Sequence, residues 1–377
     1  MRKSFLYSLG LVVATLVALG LVVLFSASEI KASKLHSDAL FFVKRQGLYI
    51  IIGAFAAFLF AVIDYRSWRD HLTLTVIPFV IVLICLMVVF AFPPINGSRR
   101  WIPLGVINFQ PAEFAKFITV IAISVCLNRF ALKIERFKEG SLIPVGIVGM
   151  MALPVFCQPD FGSALVIGGV GFMLMFMAGT KFMHIMLLGS IAVALFVWRV
   201  ANTPNRMARM FAFTGIAVEG AEDTASYQSD MSLVAIYRGG VFGKGLLKSM
   251  QKQSYLPEAW TDFILAVGAE EMGLIFSVSV IALFVIFLII CIRIALSTDR
   301  FGQLLVMGMA FIIFFPAMFN IGVVCEAFPT KGMALPFFSY GGTHILASFC
   351  AIGVIFSVGI HTLKDKHCAL VRKIVKN

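Results

Sequence analysis

The chain has 377 residues, of which 60% are apolar and only 13% are charged, and its mean hydropathy is +0.97. Soluble globular domains carry about 25% charged residues, so this composition excludes a soluble enzyme, a disulfide-stapled secreted domain and a disordered chain. The net charge of +12 does not indicate nucleic-acid binding, because the basic residues stand singly or in pairs between apolar runs. The sequence predicts an all-α polytopic membrane protein.

The apolar runs predict about ten transmembrane helices, since a span needs about 20 apolar residues. The first run, 5–25, follows two basic residues as a signal peptide does, but it is longer than the roughly 7–15 residues of a signal-peptide core, so we interpret it as a retained span. The other runs lie at about 46–63, 73–93, 112–127, 141–157, 161–179, 183–198, 263–292, 302–326 and 339–362.

Lys and Arg are concentrated in the loops on the side of the N-terminus and in the C-terminal tail, which predicts an N-in/C-in orientation. The segment 199–262, between spans 7 and 8, then lies on the extracytoplasmic side. A structureless loop of that length would be unusual, so we expect short amphipathic helices there. The loops 92–111 and 327–338 lie on the same side. We expect the whole chain, 1–377, to form a single integral membrane domain.

Glu113 and Lys116 stand three residues apart at the start of the fourth span. Ionisable groups inside a membrane are costly and usually functional, and this spacing places the two on one helix face, where they neutralise each other. Two interpretations stay open at this point, namely a structural ion pair between helices and the polar floor of a substrate cavity.

The predicted outer loops contain several cations. Arg99 and Arg100 oppose the preference for positive charge in the cytoplasm, which favours an anionic partner such as a phosphate or diphosphate. Arg238 and Lys244 flank a glycine-rich stretch that is not a Walker motif, because Gly245 follows the lysine where Ser or Thr is required. Its glycines either let the backbone approach a ligand or form a flexible turn.

Two further stretches predict a site at the outer membrane face. In 256–263, the carboxylates Glu258 and Asp262 lie near a predicted helix start, and Asp262 stands where the outer segment re-enters the membrane. It can act there as a general base, or it is a plain helix-terminal carboxylate. Glu270 and Glu271 line the same cavity or stabilise the helix. The second stretch, 328–342, contains two prolines, three glycines, a lysine and a serine, which indicates irregular backbone beside a wet cavity.

These stretches resemble the SEDS family of bacterial shape, elongation, division and sporulation proteins, whose branches include FtsW, RodA and SpoVE. The resemblance covers about two thirds of the chain, in the order of the family's motifs. The matching stretches are NGSRRWIPLG at 96–105, NFQPAEFAK at 108–116, QPDFGSA at 158–164, YQ at 227–228, AIYRGGVFGKG at 235–245, YLPEAWTDFILAVGAEEMG at 255–273, NIGVV at 320–324 and FPTKGMALPFFSYGG at 328–342.

The PTKG stretch is more similar to the division and sporulation branch than to the elongation branch, so the chain is most like FtsW. The sequence departs from the family's pattern at three places. Trp260 stands where the family usually has His, and residues 231–233 read Met-Ser-Leu where Gln-Ser-Leu is common. Thr343-His344 stands in place of the final Ser-Ser of the SYGGSS motif.

The resemblance implies a peptidoglycan glycosyltransferase that polymerises lipid II outside the cytoplasmic membrane. It implies that Asp262 is the catalytic general base and that Arg or Lys side chains stabilise the departing undecaprenyl diphosphate. The residues expected to bind substrate are Arg99, Arg100, Glu113, Lys116, Arg238, Lys244, Glu258, Lys331 and Ser339.

The resemblance also implies partners and a location. The expected partners are lipid II, the growing glycan chain, a class B penicillin-binding protein with transpeptidase activity, other divisome proteins and membrane lipid, without nucleic acid. The expected location is the bacterial inner membrane at the division septum. No metal ligands are predicted, although Mg²⁺ or Mn²⁺ at the diphosphate stays an alternative. A lipid II flippase, a RodA-like elongation polymerase and a recruiting scaffold are the rival functions.

Overall fold

The computed structural model describes residues 3–94, 98–103, 105, 108–202, 224–253, 259–329 and 332–376. Its architecture is a bundle of α-helices. The helices are α1 (Lys3–His36), α2 (Phe41–Val62), α3 (Arg66–Asp70), α4 (Thr73–Val88), α5 (Pro111–Arg129), α6 (Ile143–Cys157), α7 (Phe161–Met177), α8 (Phe182–Ala201), α9 (Thr224–Gly239), α10 (Ile264–Ala295), α11 (Arg300–Val324) and α12 (Gly342–Lys376).

The described residues contain nine helices that are long and apolar enough to cross a membrane. A further apolar helix, α7, has 17 residues and stands at the place of the predicted sixth span. At 1.5 Å per residue it is about 25 Å long, slightly short of a typical hydrocarbon core. The all-α polytopic fold is thus confirmed. One exception is a small antiparallel ribbon, β1 (Ile102–Pro103) with β2 (Asn108–Phe109), which the sequence did not predict in the loop before α5.

Helix α5 lies at the centre of the bundle, with 16 of its 19 residues buried. The helices at the periphery of the bundle instead expose apolar side chains, such as Phe55 and Phe58 on α2, each 63% exposed. Exposed apolar surface of this kind suits contact with lipid chains rather than water. The outer segment 199–262 contains α9, and its parts at 203–223 and 254–258 lie outside the described residues.

Helix α10 is broken near its start by Gly273, whose φ of +80° and ψ of −172° are not helical. The glycine-rich loop after α9 docks against this break through its backbone. Lys244 N–H donates to Glu270 C=O (3.1 Å), and Leu274 N–H donates to Gly240 C=O (2.9 Å). A Cβ on Gly243 would lie 2.2 Å from the Glu271 carbonyl oxygen. The glycines therefore allow two backbones to meet, rather than a backbone and a phosphate.

Two buried carboxylates hold the next part of the outer segment. Glu271 Oε1 accepts hydrogen bonds from Ser26 Oγ of α1 (2.6 Å) and from Lys252 Nζ (3.0 Å). Glu270 accepts from the hydroxyl of Ser249 and from the N–H groups that follow it. Neither glutamate lines the cavity described below, so of the two interpretations the structure favours stabilisation. The pair ties α1 and the outer segment to the start of α10.

We expect Gly243→Ala to destabilise the protein more than Gly240→Ala. Both glycines have positive φ (+80° and +56°), so each alanine carries a left-handed strain of about 1–2 kcal/mol. An added Cβ at Gly243 would also overlap the backbone of Glu271. At Gly240, no atom lies within 4 Å of an added Cβ. The apparent melting temperature in detergent measures the difference. Equal shifts for the two variants would contradict the docked loop.

We expect Lys252→Met to lower the apparent melting temperature by several degrees. The Lys252 and Glu271 side chains are only 2% and 1% exposed, and a buried carboxylate that loses its partner costs about 3–5 kcal/mol. Lys248→Met, at an exposed lysine of the same segment, is the matched control and is expected to be neutral. Adding Glu271→Gln to Lys252→Met is expected to recover part of the loss.

Candidate functional site

A polar cavity of about 350 Å³ lies where several helices begin. Part of its lining comes from the starts of α5, α7 and α12 and from the residues just before α10, so four helix N-termini converge on it. The rest comes from the loop before β1, the segment 332–334 and one residue inside α11. The N-terminal end of a helix carries partial positive charge and unpaired N–H groups, which favours anions. The lining residues are Ser98, Arg100, Trp101, Gln110, Glu113, Lys116, Asp160, Ser163, Val166, Thr261, Asp262, Pro316, Gly332, Met333, Ala334, Tyr340, Gly341 and His344.

Glu113 is the centre of a buried three-residue cluster on one wall of the cavity. Its Oε1 accepts a hydrogen bond from Lys116 Nζ at 2.7 Å, one helical turn further on. Its Oε2 lies 2.7 Å from Nδ1 of His344, on the first turn of α12. The three side chains are each no more than 9% exposed. Lys116 is thereby paired with Glu113 in the lining of the cavity.

Asp160 and Arg100 form the opposite part of the lining. Asp160 caps α7, where it accepts hydrogen bonds from the N–H and the hydroxyl of Ser163 (3.2 and 2.9 Å), and it also accepts one from Gln110 Nε2 at 3.1 Å. Arg100 donates from Nη2 to the Pro159 carbonyl at 2.6 Å. Its buried Nε has no hydrogen-bond partner among the described residues. Arg100 is a lining residue of the cavity, so its guanidinium contributes positive charge there.

The backbone around Asp262 is fixed by two polar side chains. Asn320 of α11 donates to the carbonyls of Asp262 (2.6 Å) and Met333 (2.7 Å), which joins the two irregular segments of the site. Ser339 accepts from Leu335 N–H (2.7 Å) and donates to the carbonyl of the residue before Asp262 (2.5 Å). These side chains bind backbone C=O and N–H groups that have no partner within a helix. In a membrane protein such groups must find their partners within the protein.

Gly332 lies directly beside the Asp262 carboxyl group. A Cβ on this glycine would lie 2.5 Å from Asp262 Oδ2. Tyr340 lies on the same side of the cavity, just before α12, and burial raises the pKa of its phenol above the ordinary value. Its hydroxyl therefore stays protonated near neutral pH and can donate a hydrogen bond.

Trp260, which stands where the family usually has His, does not line the cavity. Its ring stacks on Phe42 with centroids 6.4 Å apart, and Lys31 Nζ of α1 lies 3.6 Å from the ring centroid. A cation over an indole is a stabilising contact. The substitution therefore attaches the segment before Asp262 to α1 and α2 and leaves the cavity lining itself unchanged.

The structure brings together some of the predicted site residues and separates others. Arg100, Glu113, Lys116 and Asp262 share the cavity. Three predicted cations lie outside its lining and are exposed: Arg99 donates to the Phe90 carbonyl at 2.8 Å, Arg238 contacts the sulfur of Met250, and Lys244 lies in the docked loop.

Ser339 is buried behind the cavity wall, where it holds backbone. Glu258 and Lys331 lie outside the described residues.

Sequence reasoning did not select Asp160, Gln110 or His344. Asp160 had one available signal, because it stands at the place of a helix N-cap, three residues before a serine. His344 had none beyond its departure from the family's pattern.

No group of three or more His, Cys, Asp and Glu side chains that could hold a metal ion occurs among the described residues. Both oxygens of Glu113 and both of Asp160 already accept hydrogen bonds from the protein.

Comparison with known proteins gives a consistent set of relatives. A family model described as cell cycle protein, covering FtsW, RodA and SpoVE, matches residues 7–364. The chain is 34% identical over 353 residues to a probable peptidoglycan glycosyltransferase FtsW of Geobacter sulfurreducens (strain DL-1 / KN400), over 92% of this chain and 93% of that protein. It is 35% identical over 353 residues to stage V sporulation protein E of Bacillus subtilis (strain 168), over 93% and 95% of the two chains.

Solved structures show the same fold. One, described as "Structural coordination of polymerization and crosslinking by a peptidoglycan synthase complex", matches with a TM-score of 0.74 and 25% identity over 94% of this chain and 98% of that chain. The rod shape determining protein RodA of Thermus thermophilus matches with a TM-score of 0.66 and 26% identity, over 94% and 96% of the two chains. The resemblance seen in the motifs is confirmed, and the chain belongs to the FtsW/RodA/SpoVE family.

Proposed function

We propose that this multi-pass membrane protein is a peptidoglycan glycosyltransferase that polymerises lipid II at the outer face of the bacterial cytoplasmic membrane. The observation that carries the proposal is a cavity at four helix N-termini whose lining contains Asp262 and two cations, Arg100 and Lys116. Such a site suits a reaction that needs a base for a hydroxyl and stabilisation of an anionic leaving group. The relatives named as probable peptidoglycan glycosyltransferases support the same activity.

In the proposed reaction, the 4-hydroxyl of the acceptor sugar attacks the anomeric carbon of the donor. A carbon–oxygen bond forms there as the bond to the lipid diphosphate breaks, and the electron pair leaves with the diphosphate. Asp262 takes the hydroxyl proton as general base. An α-linked donor that gives a β-1,4 product implies inversion by direct displacement, for which one base and a cationic leaving-group site are sufficient.

Arg100 and Lys116 are the described cations that support the leaving group. The Lys116 ammonium is held by Glu113, and Arg100 retains an N–H without a protein partner in the described residues. Donors that are fixed before the reaction stabilise developing charge without a reorganisation cost. Arg99, Arg238 and Lys244 lie outside the cavity lining and are not needed for this step.

The finer biological assignment belongs to the same proposal. The relatives named FtsW and stage V sporulation protein E support a role in septal rather than lateral wall synthesis. The solved structure described as a peptidoglycan synthase complex that coordinates polymerization and crosslinking supports a class B penicillin-binding protein as partner. Binding of this partner and location at the septum of the inner membrane follow from the proposed role.

We expect Asp262→Asn to reduce polymerisation of labelled lipid II by at least about 100-fold, since general-base catalysis contributes about 10²–10⁴-fold. The protein is purified with its transpeptidase partner, and glycan polymer is measured on a gel. Asp230→Asn, at an exposed carboxylate of α9, is the matched control and is expected to keep full activity.

Equal polymer from wild type and Asp262→Asn would remove this carboxylate from the mechanism. Absence of polymer from the wild-type complex, together with lipid II movement across liposomes that contain it, would favour a flippase. Retention of cell division by a stably inserted Asp262→Asn variant would favour a scaffold.

We expect Gly332→Ala to lower kcat while the melting temperature stays near that of wild type. The new Cβ would displace the Asp262 carboxyl group, which is the far end of a side chain rather than backbone. A misplacement of about 1 Å can cost about 100-fold in rate. Gly149→Ala, where nothing lies within 4 Å of the added Cβ, is the control. Full activity of Gly332→Ala would contradict the position given to Asp262.

A further inference from the structure

His344 is a buried lining residue of the cavity and has a ring nitrogen that no described residue binds. The side chain is 8% exposed and lines the cavity, and its Nδ1 lies 2.7 Å from Glu113 Oε2. Its Nε2 is buried without a hydrogen-bond partner among the described residues. A buried polar atom without a hydrogen-bond partner costs about 1–3 kcal/mol of folding free energy. When such an atom belongs to a residue that lines a cavity, a bound ligand is a natural partner for it.

We propose that Nε2 of His344 donates a hydrogen bond to the diphosphate of a lipid-linked substrate, and that binding of this diphosphate is accompanied by uptake of one proton on the ring. This inference rests on the proposed function. It assigns to the chain a third cationic contact beside Arg100 and Lys116, one that exists only when the ring is charged.

The hydrogen-bond chemistry of the ring requires the proton. An ionised carboxylate only accepts hydrogen bonds, so Nδ1 carries hydrogen toward Glu113. A neutral ring then has a bare Nε2, which can accept but cannot donate. Diphosphate oxygens are acceptors, so a direct contact needs hydrogen on Nε2 as well. Glu113 stabilises the resulting imidazolium through a charge-assisted bond.

Charged groups of both signs line the cavity around His344. Among the described lining residues, Arg100 and Lys116 are cations, and Glu113, Asp160 and Asp262 are carboxylates. A proton on His344 adds a third cation to this lining.

The elements packed against α12 add few other titratable groups near His344. Tyr340 lines the cavity just before α12. On α2, the Tyr49 ring lies beside Gly342, and the Tyr49 hydroxyl oxygen accepts a hydrogen bond from Arg45 Nε. Helix α11 has a single ionisable side chain, Arg300, at its other end. On α10, the two buried glutamates are bonded to the outer segment.

Isothermal titration of the detergent-solubilised partner complex with farnesyl diphosphate tests the proposal. Titrations between pH 6 and pH 8.5, in two buffers of different ionisation enthalpy, give both Kd and the number of protons taken up. His344→Ser is the first variant, because Ser is the residue of the family's pattern here and is expected to fold. His344→Gln supplies an N–H that cannot gain a charge. Farnesyl monophosphate is the control ligand.

We expect wild type to take up nearly one more proton per diphosphate bound than either variant. We also expect its Kd to tighten as the pH falls. His344→Ser is expected to bind roughly tenfold to a hundredfold more weakly at pH 6, which is the value of a hydrogen bond to a charged group, and to lose this pH dependence. The KM for lipid II is expected to follow the same pattern.

Equal proton uptake in wild type and variants would overturn the proposal. A uniform loss of affinity at every pH, or a lowered melting temperature without a change in Kd, would overturn it as well, because a neutral or purely structural His344 predicts those results. Absence of farnesyl diphosphate binding to wild type also contradicts it. Proton-linked diphosphate binding by a complex that makes no polymer would refute the proposed polymerase activity and leave this inference standing.

Discussion

Inside a membrane, every backbone N–H and C=O must find its hydrogen-bond partner within the protein, and the site depends on how this constraint is met. Helix α10 is broken at Gly273, and the segment 332–341, which supplies several cavity-lining residues, is irregular. The docked glycine loop satisfies the first departure from helix, and side chains from α2, α11 and the segment itself satisfy the second. The irregular backbone that carries Asp262 is therefore stable only because distant elements supply its partners.

Charge is arranged by the same principle. Among the described residues, two clusters of buried charges hold helices together, one around Glu113 in the cavity wall and one around Glu271 outside the cavity lining. The cluster around Glu271 has no face on the cavity, so it anchors the outer segment. The cluster around Glu113 borders the cavity, so its cations can also meet a ligand. Convergent helix N-termini add to this preference for anions.

Part of the site was predictable from residue type and position in the chain. Asp262 and Lys116 stand at membrane re-entry points, where a carboxylate or an ammonium is costly without a purpose. Arg238 and Lys244 are also basic residues in a segment predicted to lie outside the cytoplasm, yet the structure places them outside the cavity lining. The glycines between them signalled a close approach correctly, but the approaching group is the backbone of α10. No local pattern distinguishes these two cases.

The sequence by itself determined the class of protein, the approximate spans and the family, because hydropathy is a property of each local segment and the motifs are contiguous. Only the tertiary structure decided which polar groups meet. His344 and Glu113 are 231 residues apart in the chain. Asn320 joins Asp262, which precedes it in the chain, to Met333, which follows it. Such contacts depend on how whole helices pack, and Asp160, Gln110 and His344 became part of the site only through that packing.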